Sequence, residues 1–184
     1  MNISAKIKLL IIALALVVLL AAGGIFYGIL SADNQPDQSP QDAAGAATDF
    51  AVTDSNGNTV RLSDMKGKPT IVNFWATWCG YCVTEMPAFE TLYKEYADKV
   101  NFMMVDLTDG VQETVTGAKE FIGEKGYTFP IYFDTEQQAL TAYSAYSIPM
   151  TLFVDEKGAL SQKHTGAMNE QTLRNYIENL LGGK

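Results

Sequence analysis

Hydrophobic and polar positions divide the chain into three stretches of different character. An uncharged apolar run extends from Leu9 to Leu30 and follows Lys6 and Lys8. Its length is that of a membrane-spanning helix. The next stretch, residues 31–47, contains no large apolar residue and is rich in Pro, Gln, Asp and Ala, which is typical of a disordered tether. The remainder, residues 48–184, is long enough to form one folded domain.

Within this domain the apolar pattern predicts strands that alternate with helices. The run from Thr70 to Ala76 is rich in β-branched and aromatic residues, which indicates a strand buried on both faces. Two segments with turn-forming residues, 54–58 and 155–158, each lie between two predicted strands and therefore predict β-hairpins. The predicted strands are 50–53, 59–62, 70–76, 100–107, 131–133, 151–154 and 160–164. The predicted helices are 80–96, 113–125, 136–143 and a last helix capped by Asn169. This order predicts an α/β fold with a mixed sheet.

The charges around the apolar run predict its orientation in a membrane. Lysines precede the run, whereas Asp33, Asp37 and Asp42 follow it. By the positive-inside rule, residues 1–8 are cytoplasmic, residues 9–30 form the anchor, and the tether and domain lie outside. The run exceeds the ~7–15 residues of a signal-peptide core, and it lacks a convincing A-x-A cleavage site. We therefore expect an uncleaved single-pass anchor in the cell membrane and a domain on the oxidising, extracytoplasmic side.

The charge balance disfavours two classes of partner. Residues 9–184 contain 11 basic and 21 acidic residues, a net charge of −10. Such a surface disfavours binding to nucleic acid or to anionic lipid. The simplest role of these carboxylates is to keep the domain soluble.

The chain has two cysteines, Cys79 and Cys82, in a C-x-x-C arrangement. Two thiols exclude a disulfide framework and a four-thiolate zinc site. Cys79 follows the buried strand and begins a helix, where unpaired N–H groups and the helix dipole favour a thiolate nucleophile. Cys82 lies one turn further and can attack the mixed disulfide that Cys79 forms. Inert thiols or two metal ligands are alternatives, but the strand–helix context favours redox chemistry, and His164 is predicted far away. We expect no metal and no cofactor beyond a Cys79–Cys82 disulfide.

The segment FWATWCGYC, residues 74–82, resembles the active-site segment of the thioredoxin superfamily. With the N-terminal anchor, the chain resembles the membrane-tethered TlpA/ResA branch over residues 48–182. The resemblance implies a thioredoxin-like fold, a central mixed sheet flanked by helices, with an added N-terminal β-hairpin and a central βα insertion at about residues 100–145. It also implies a thiol-disulfide oxidoreductase, usually a reductase outside the cytoplasmic membrane.

Two positions near the dithiol bear on proton transfer. Thioredoxins carry a buried Asp six residues before the first Cys, where this chain has Asn73, which cannot accept a proton. ResA-like proteins carry a Glu in the active-site cavity three residues after the second Cys, and Glu85 matches it. On a helix, Glu85 lies close enough to Cys82 to accept its proton during resolution. By spacing alone, a solvated Glu that interacts with the helix dipole is an equal alternative.

Four further residues are candidate substrate contacts. The resemblance implies that Pro149 is a cis-proline beside the dithiol, which leaves the Ile148 backbone free to pair with a substrate strand. The sequence by itself predicts a trans bond there. Trp78, directly before Cys79, and Tyr81, between the cysteines, are the other two candidates. Core packing or simple exposure is the alternative for each ring.

The resemblance also implies partners. Clients would be proteins with disulfides, including apocytochrome c before haem attachment and methionine sulfoxide reductase. An integral-membrane dithiol donor would re-reduce the pair, because the outside supplies no reducing pool. A thiol peroxidase is one alternative, although its Thr stands three residues before the Cys and Thr77 stands two before Cys79. A Sco-type copper metallochaperone is another, although it needs C-x-x-x-C and a positioned His.

Overall fold

The computed structural model describes residues 45–182. The predicted cytoplasmic segment 1–8, the predicted anchor 9–30 and residues 31–44 of the predicted tether lie outside the described residues. Within residues 45–182, no helix is both long and apolar enough to cross a membrane.

Strands and helices alternate along the described residues, as the apolar pattern predicts. The strands are β1 (Ala51–Asp54), β2 (Thr59–Arg61), β3 (Thr70–Trp75), β4 (Asn101–Asp106), β5 (Ile131–Phe133), β6 (Met150–Val154) and β7 (Leu160–Thr165). The α-helices are α1 (Gly80–Tyr96), α2 (Val115–Lys125), α3 (Gln138–Tyr143) and α4 (Glu170–Leu180). A short 3-10 helix, Leu62–Met65, follows β2.

The strands form one mixed sheet in the order β2-β1-β5-β4-β3-β6-β7. β3 is parallel to β4, and β4 is parallel to β5, whereas β6 runs antiparallel to β3. Both predicted hairpins are confirmed, because β1 pairs antiparallel with β2 and β6 pairs antiparallel with β7. The carboxyl ends of β3, β4 and β5 therefore meet at one edge of the sheet, which is where α/β folds place their functional groups.

The sheet separates two apolar clusters. Side chains of α1, α2 and α4 cover one face, with Met86 and Phe89 from α1 and Leu173 from α4 fully buried. The other face is covered by the N-terminal segment and α3, including Phe50 and Ala139. Every residue of β3 is buried, as expected for a strand with elements packed on both faces.

The predicted insertion at residues 100–145 comprises β4, α2, β5 and α3. Its two strands lie in the middle of the sheet, and β5 connects the N-terminal hairpin to it through antiparallel pairing with β1. This segment therefore builds the centre of the sheet as well as extending it.

Two helices begin later than the sequence predicts. α2 begins at Val115, because the Thr114 hydroxyl accepts the Gly117 N–H at 3.1 Å and caps the helix there. α3 begins at Gln138, because the Asp134 carboxylate accepts the N–H groups of Ala139 and Leu140. The predicted starts at residues 113 and 136 are therefore wrong by two residues each.

Residues 45–47, which the sequence assigns to the tether, contact the β6–β7 turn. The Ala47 N–H donates to the Gly158 carbonyl at 2.8 Å, and the Leu160 N–H donates to the Gly45 carbonyl at 3.0 Å. The contacts of the domain thus begin three residues before the predicted boundary at Thr48.

Candidate active site

The two cysteines form a disulfide at the start of α1, with an S–S distance of 2.06 Å and Cα atoms 5.2 Å apart. Cys79 is the N-cap residue of α1, and its Sγ accepts the Cys82 N–H at 3.1 Å. Cys79 is 7% exposed and Cys82 is fully buried. The arrangement places the slightly exposed cysteine at the positive end of a helix and the fully buried cysteine one turn further along it.

The loop that leads from β3 to Cys79 is held by a buried carboxylate. Glu113, 1% exposed, accepts both the N–H and the hydroxyl of Thr77 at 2.7 Å. Because this contact spans 36 residues of sequence, the helical pattern around Glu113 gave no sign of it. The interaction fixes the backbone two residues before the outer cysteine.

Glu85 lies in the core beneath the first turn of α1 and is 2% exposed. One carboxylate oxygen accepts from Asn73 Nδ2 at 2.8 Å, and the other accepts the Met168 N–H at 2.9 Å. Asn73 Nδ2 also lies 3.0 Å from the Thr151 hydroxyl on β6. The Glu85 carboxylate is therefore enclosed by β3, β6 and the loop before α4.

Burial raises the pKa of Glu85 from 4.5 to about 7. Desolvation is the larger effect, and the hydrogen bonds from Met168 and Asn73 oppose it because they favour the ionised form. A carboxyl group with a pKa near 7, one helical turn from Cys82, can exchange a proton at neutral pH. The solvated alternative for Glu85 is wrong.

The Ile148–Pro149 peptide bond is cis, as the resemblance implies and against the trans bond predicted from the sequence alone. Pro149 is buried, and its carbonyl accepts the Gly166 N–H at 2.8 Å. Among the described residues, neither backbone polar group of Ile148 has a hydrogen-bonding partner. Ile148 therefore presents a free donor and acceptor to an incoming chain.

The two aromatic candidates differ in their surroundings. Trp78 is 53% exposed and lies with Ile148 on a groove of about 240 Å³. Tyr81 is 75% exposed on the first turn of α1 and lies outside this groove. The structure thus brings Trp78, the residue directly before Cys79, together with Ile148 on one groove.

A further buried carboxyl group, Asp106, lies at the carboxyl end of β4 and was not anticipated. It is fully buried, and burial raises its pKa from 3.8 to about 8, against the Thr108 hydroxyl that donates to it. Its register partner on β3 is Trp75. Asp106 Oδ2 and Trp75 Nε1 are the two buried side-chain polar atoms without a hydrogen-bonding partner in residues 45–182. The signal available in the sequence was a single Asp within the apolar run of residues 102–107.

His164 and the acidic side chains do not form a metal site in the described part of the chain. The His164 Nδ1 lies 3.4 Å from the Tyr176 hydroxyl, and the two rings are 5.7 Å apart. Across residues 45–182, no three His, Cys, Asp or Glu side chains are grouped to hold a metal ion.

The chain is similar to known thiol-disulfide oxidoreductases. Residues 43–163 match the AhpC/TSA family. The thiol-disulfide oxidoreductase ResA of Geobacillus kaustophilus is 36% identical over 135 residues, which cover 73% of this chain and 75% of that protein. ResA of Bacillus subtilis is 31% identical over 170 residues, which cover 92% of this chain and 90% of that protein.

A solved structure supports the same relationship. StoA from Bacillus subtilis matches with a TM-score of 0.63 at 28% identity, and the match covers 72% of this chain and 98% of StoA. The shared fold, the family match and the coverage of the ResA relatives show that the chain belongs to the thioredoxin-like AhpC/TSA family, as a thiol-disulfide oxidoreductase of the ResA type.

Proposed function

We propose that this oxidoreductase is a membrane-anchored, extracytoplasmic reductase that passes two electrons from a membrane dithiol donor to client protein disulfides. The observation that carries the proposal is the asymmetry of the pair. Cys79 is at the helix N-terminus and is 7% exposed, whereas Cys82, three residues further along the helix, is fully buried. The uncharged apolar run of residues 9–30 and the lysines that precede it support the proposed location, and the TlpA/ResA resemblance supports the direction of electron flow.

In the first step the Cys79 thiolate attacks one sulfur of a client disulfide. A Cys79–client S–S bond forms, the client S–S bond breaks, and the second client sulfur leaves as a thiolate that takes a proton from water. The Cys82 N–H, 3.1 Å from Cys79 Sγ in the disulfide form, is placed to stabilise the attacking thiolate.

In the second step Cys82 resolves the mixed disulfide. Its thiol gives a proton to the Glu85 carboxylate, and the resulting thiolate attacks Cys79 Sγ. The Cys79–Cys82 bond re-forms, and the remaining client sulfur leaves and is protonated. The client gains two electrons and two protons, and the enzyme is oxidised. Because the pKa of Glu85 is about 7, the carboxyl group can take up and return this proton near neutral pH.

The oxidised enzyme then needs a dithiol of an integral-membrane donor, since the outside of the cell has no reducing pool. Extended client segments would meet the free Ile148 backbone, with Trp78 and Tyr81 exposed around the dithiol. Apocytochrome c and methionine sulfoxide reductase are the two client classes to examine first.

Trapping the mixed disulfide tests the reaction. With Cys82→Ser, the second step cannot occur, so full-length protein in its native membrane should accumulate client adducts on Cys79. These adducts should be visible on non-reducing gels and be released by a reductant. The control is the double variant Cys79→Ser/Cys82→Ser, which should trap nothing. If the single variant also traps nothing, the proposed reaction is refuted.

The steady-state redox form tests the direction. A reductase supplied by a donor should have Cys79 and Cys82 mainly as thiols in growing cells, measured by alkylation after acid quenching. A pair that is mainly disulfide-bonded in cells would contradict a reductase. Accessibility of the domain to protease added to intact spheroplasts, with the protein retained in membranes, tests the location.

A further inference from the structure

The groove beside Cys79 has the dimensions of a subsite for one or two side chains. Its volume of about 240 Å³ is below the roughly 300–1,000 Å³ of small-molecule sites. Trp78 links it to Cys79 along the chain, and Ile148 links it to the cis-proline. The groove is lined by Trp78, Leu107, Asp109, Asp134, Gln137, Leu140, Ala145, Tyr146 and Ile148.

The groove presents apolar surface where a monomeric domain would normally hide it. Trp78 is 53% exposed and Tyr146 is 76% exposed. Large aromatic side chains left in solvent beside a reactive centre are typical of a contact surface for another chain. The free N–H and C=O of Ile148 add a place where an extended backbone can pair.

The charged side chains that line the groove are acidic. Its lining residues include two aspartates and, among the described residues, no lysine, arginine or histidine. The two aspartates differ in availability. Asp134 is buried, and both of its oxygens accept N–H groups at the start of α3.

Asp109 is exposed, and the N–H groups of Val111, Gln112 and Glu113 all bond to the same oxygen, Oδ1. These backbone hydrogen bonds lower the pKa of Asp109, so its carboxylate is ionised. Within residues 45–182 it forms no ion pair. Its second oxygen is therefore available to a cation at the rim of an apolar groove.

We propose that the groove binds an extended client segment that carries a lysine or arginine near its reactive cysteine. The cationic side chain pairs with Asp109, and a neighbouring apolar side chain packs between Trp78 and Tyr146. This proposal rests on the proposed reductase function and adds to it a preference for basic, apolar segments. Charge complementarity at the rim favours encounter and selects the partner more than it adds raw affinity.

The test uses reduced full-length protein in detergent and short peptides whose single cysteine carries a chromogenic thiol in disulfide linkage. The peptides differ only in having Lys, Gln or Glu at one position, scanned over two residues on either side of the cysteine. In the wild type, the best Lys peptide should react about three- to tenfold faster than its Glu counterpart at low salt, and the ratio should fall towards one at high salt.

Asp109→Asn keeps Oδ1 as an acceptor for the loop and removes the charge, so the Lys/Glu rate ratio should collapse towards one. The matched control is Asp155→Asn. Asp155 also accepts backbone N–H groups, from Lys157 and Ala159. It follows the last residue of β6, whereas Pro149 precedes the first, so Asp155 lies at the other end of that strand. This control should retain the wild-type ratio.

The apolar part is tested by Tyr146→Ala, which should reduce the advantage of a peptide with Leu over one with Ser beside the cysteine. Val111→Ala is its control, because Val111 is 89% exposed and does not line the groove.

Equal rates for Lys and Glu peptides in the wild type, or a preference that survives Asp109→Asn, would overturn the subsite while leaving the reductase intact. If Asp155→Asn loses the preference to the same extent, the preference comes from the net charge of the domain, and the subsite is overturned. Sedimentation that shows a dimer broken by Tyr146→Ala would assign the groove to a second copy and overturn the client proposal. Failure to reduce any of the peptides would instead reject the reductase function itself.

Discussion

Replacing Glu85 with glutamine should remove a pH-dependent loss of stability from the oxidised protein. Burial raises the pKa of Glu85 from 4.5 to about 7, so between these values the folded protein retains a proton that the unfolded chain releases. The contribution of Glu85 to the free energy of unfolding is therefore most favourable below pH 4.5. It declines as the pH rises and levels off above about pH 7.

The size of this decline follows from the shift in the pKa. At about 1.4 kcal/mol for each pH unit, the shift corresponds to about 3 kcal/mol. Glutamine also offers one acceptor to two donors, Asn73 Nδ2 and the Met168 N–H, which costs about 1–3 kcal/mol at every pH. The predicted quantity is therefore the pH-dependent part. The difference in stability between variant and wild type should move by about 3 kcal/mol in favour of the variant as the pH rises through the window.

The assay is urea unfolding of both oxidised proteins in detergent, followed by tryptophan fluorescence at several pH values from about 4 to 8. Glu120→Gln, an exposed change on α2, is the matched control and should show a constant difference from wild type. Asp106 titrates in all three proteins, so its contribution cancels in the comparison. If the Glu85→Gln difference stays constant to within about 1 kcal/mol, the burial argument for this carboxyl group is refuted.

Three other predictions concern the neighbouring residues. In the same assay, the free energy of unfolding of Asp106→Asn relative to wild type should rise by more than about 2 kcal/mol between pH 4 and pH 8. The reason is that burial raises the pKa of Asp106 to about 8, so its ionisation destabilises the wild-type fold. Equal effects at both pH values would contradict this. Glu113→Ala should lower the free energy of unfolding by about 1–3 kcal/mol, since both Thr77 donors lose their acceptor, and an unchanged urea midpoint would show that the contact is dispensable. In the reduced protein, Cys79 should be alkylated at least about tenfold faster than Cys82 by peptide mapping, because Cys79 alone reaches solvent and its thiolate is stabilised at the helix N-terminus; equal rates would contradict the assigned order of attack.

Local patterns were sufficient for the elements whose ends depend on nearby residues. The helix 80–96 has the bounds that the spacing of its apolar residues predicts, and Asn169 caps α4 through its Oδ1, which accepts the Thr172 N–H at 2.8 Å. The turn of the first hairpin is rich in Asp, Asn and Gly, and the turn of the second begins with Asp155 and ends with Gly158. In these cases the stabilising contact lies within a few positions along the chain, so the sequence displays it.

Helix starts were mispredicted where a distant or buried partner intervenes. Glu113 is of a residue type that is common in the first turn of a helix. It nevertheless lies before α2, and its carboxylate accepts hydrogen bonds from Thr77 on another loop. Asp134 instead accepts N–H groups of α3 that lie five and six residues later, which delays the start of that helix. Periodicity cannot report these choices, because they depend on which polar groups the fold buries together.

The sequence by itself determined the two-cysteine chemistry of this protein, because a C-x-x-C pair after a buried strand and at a helix start already places an activated thiol before a resolving one. Tertiary structure alone decided the electrostatics of the site. Glu85 is enclosed by Asn73 and Met168 from distant parts of the chain, and the loss of water around it raises the pKa towards 7. The same packing leaves the groove beside Trp78 and Ile148 open. Desolvation and groove shape arise where separate strands and loops pack together, so no local segment of the sequence predicts either property.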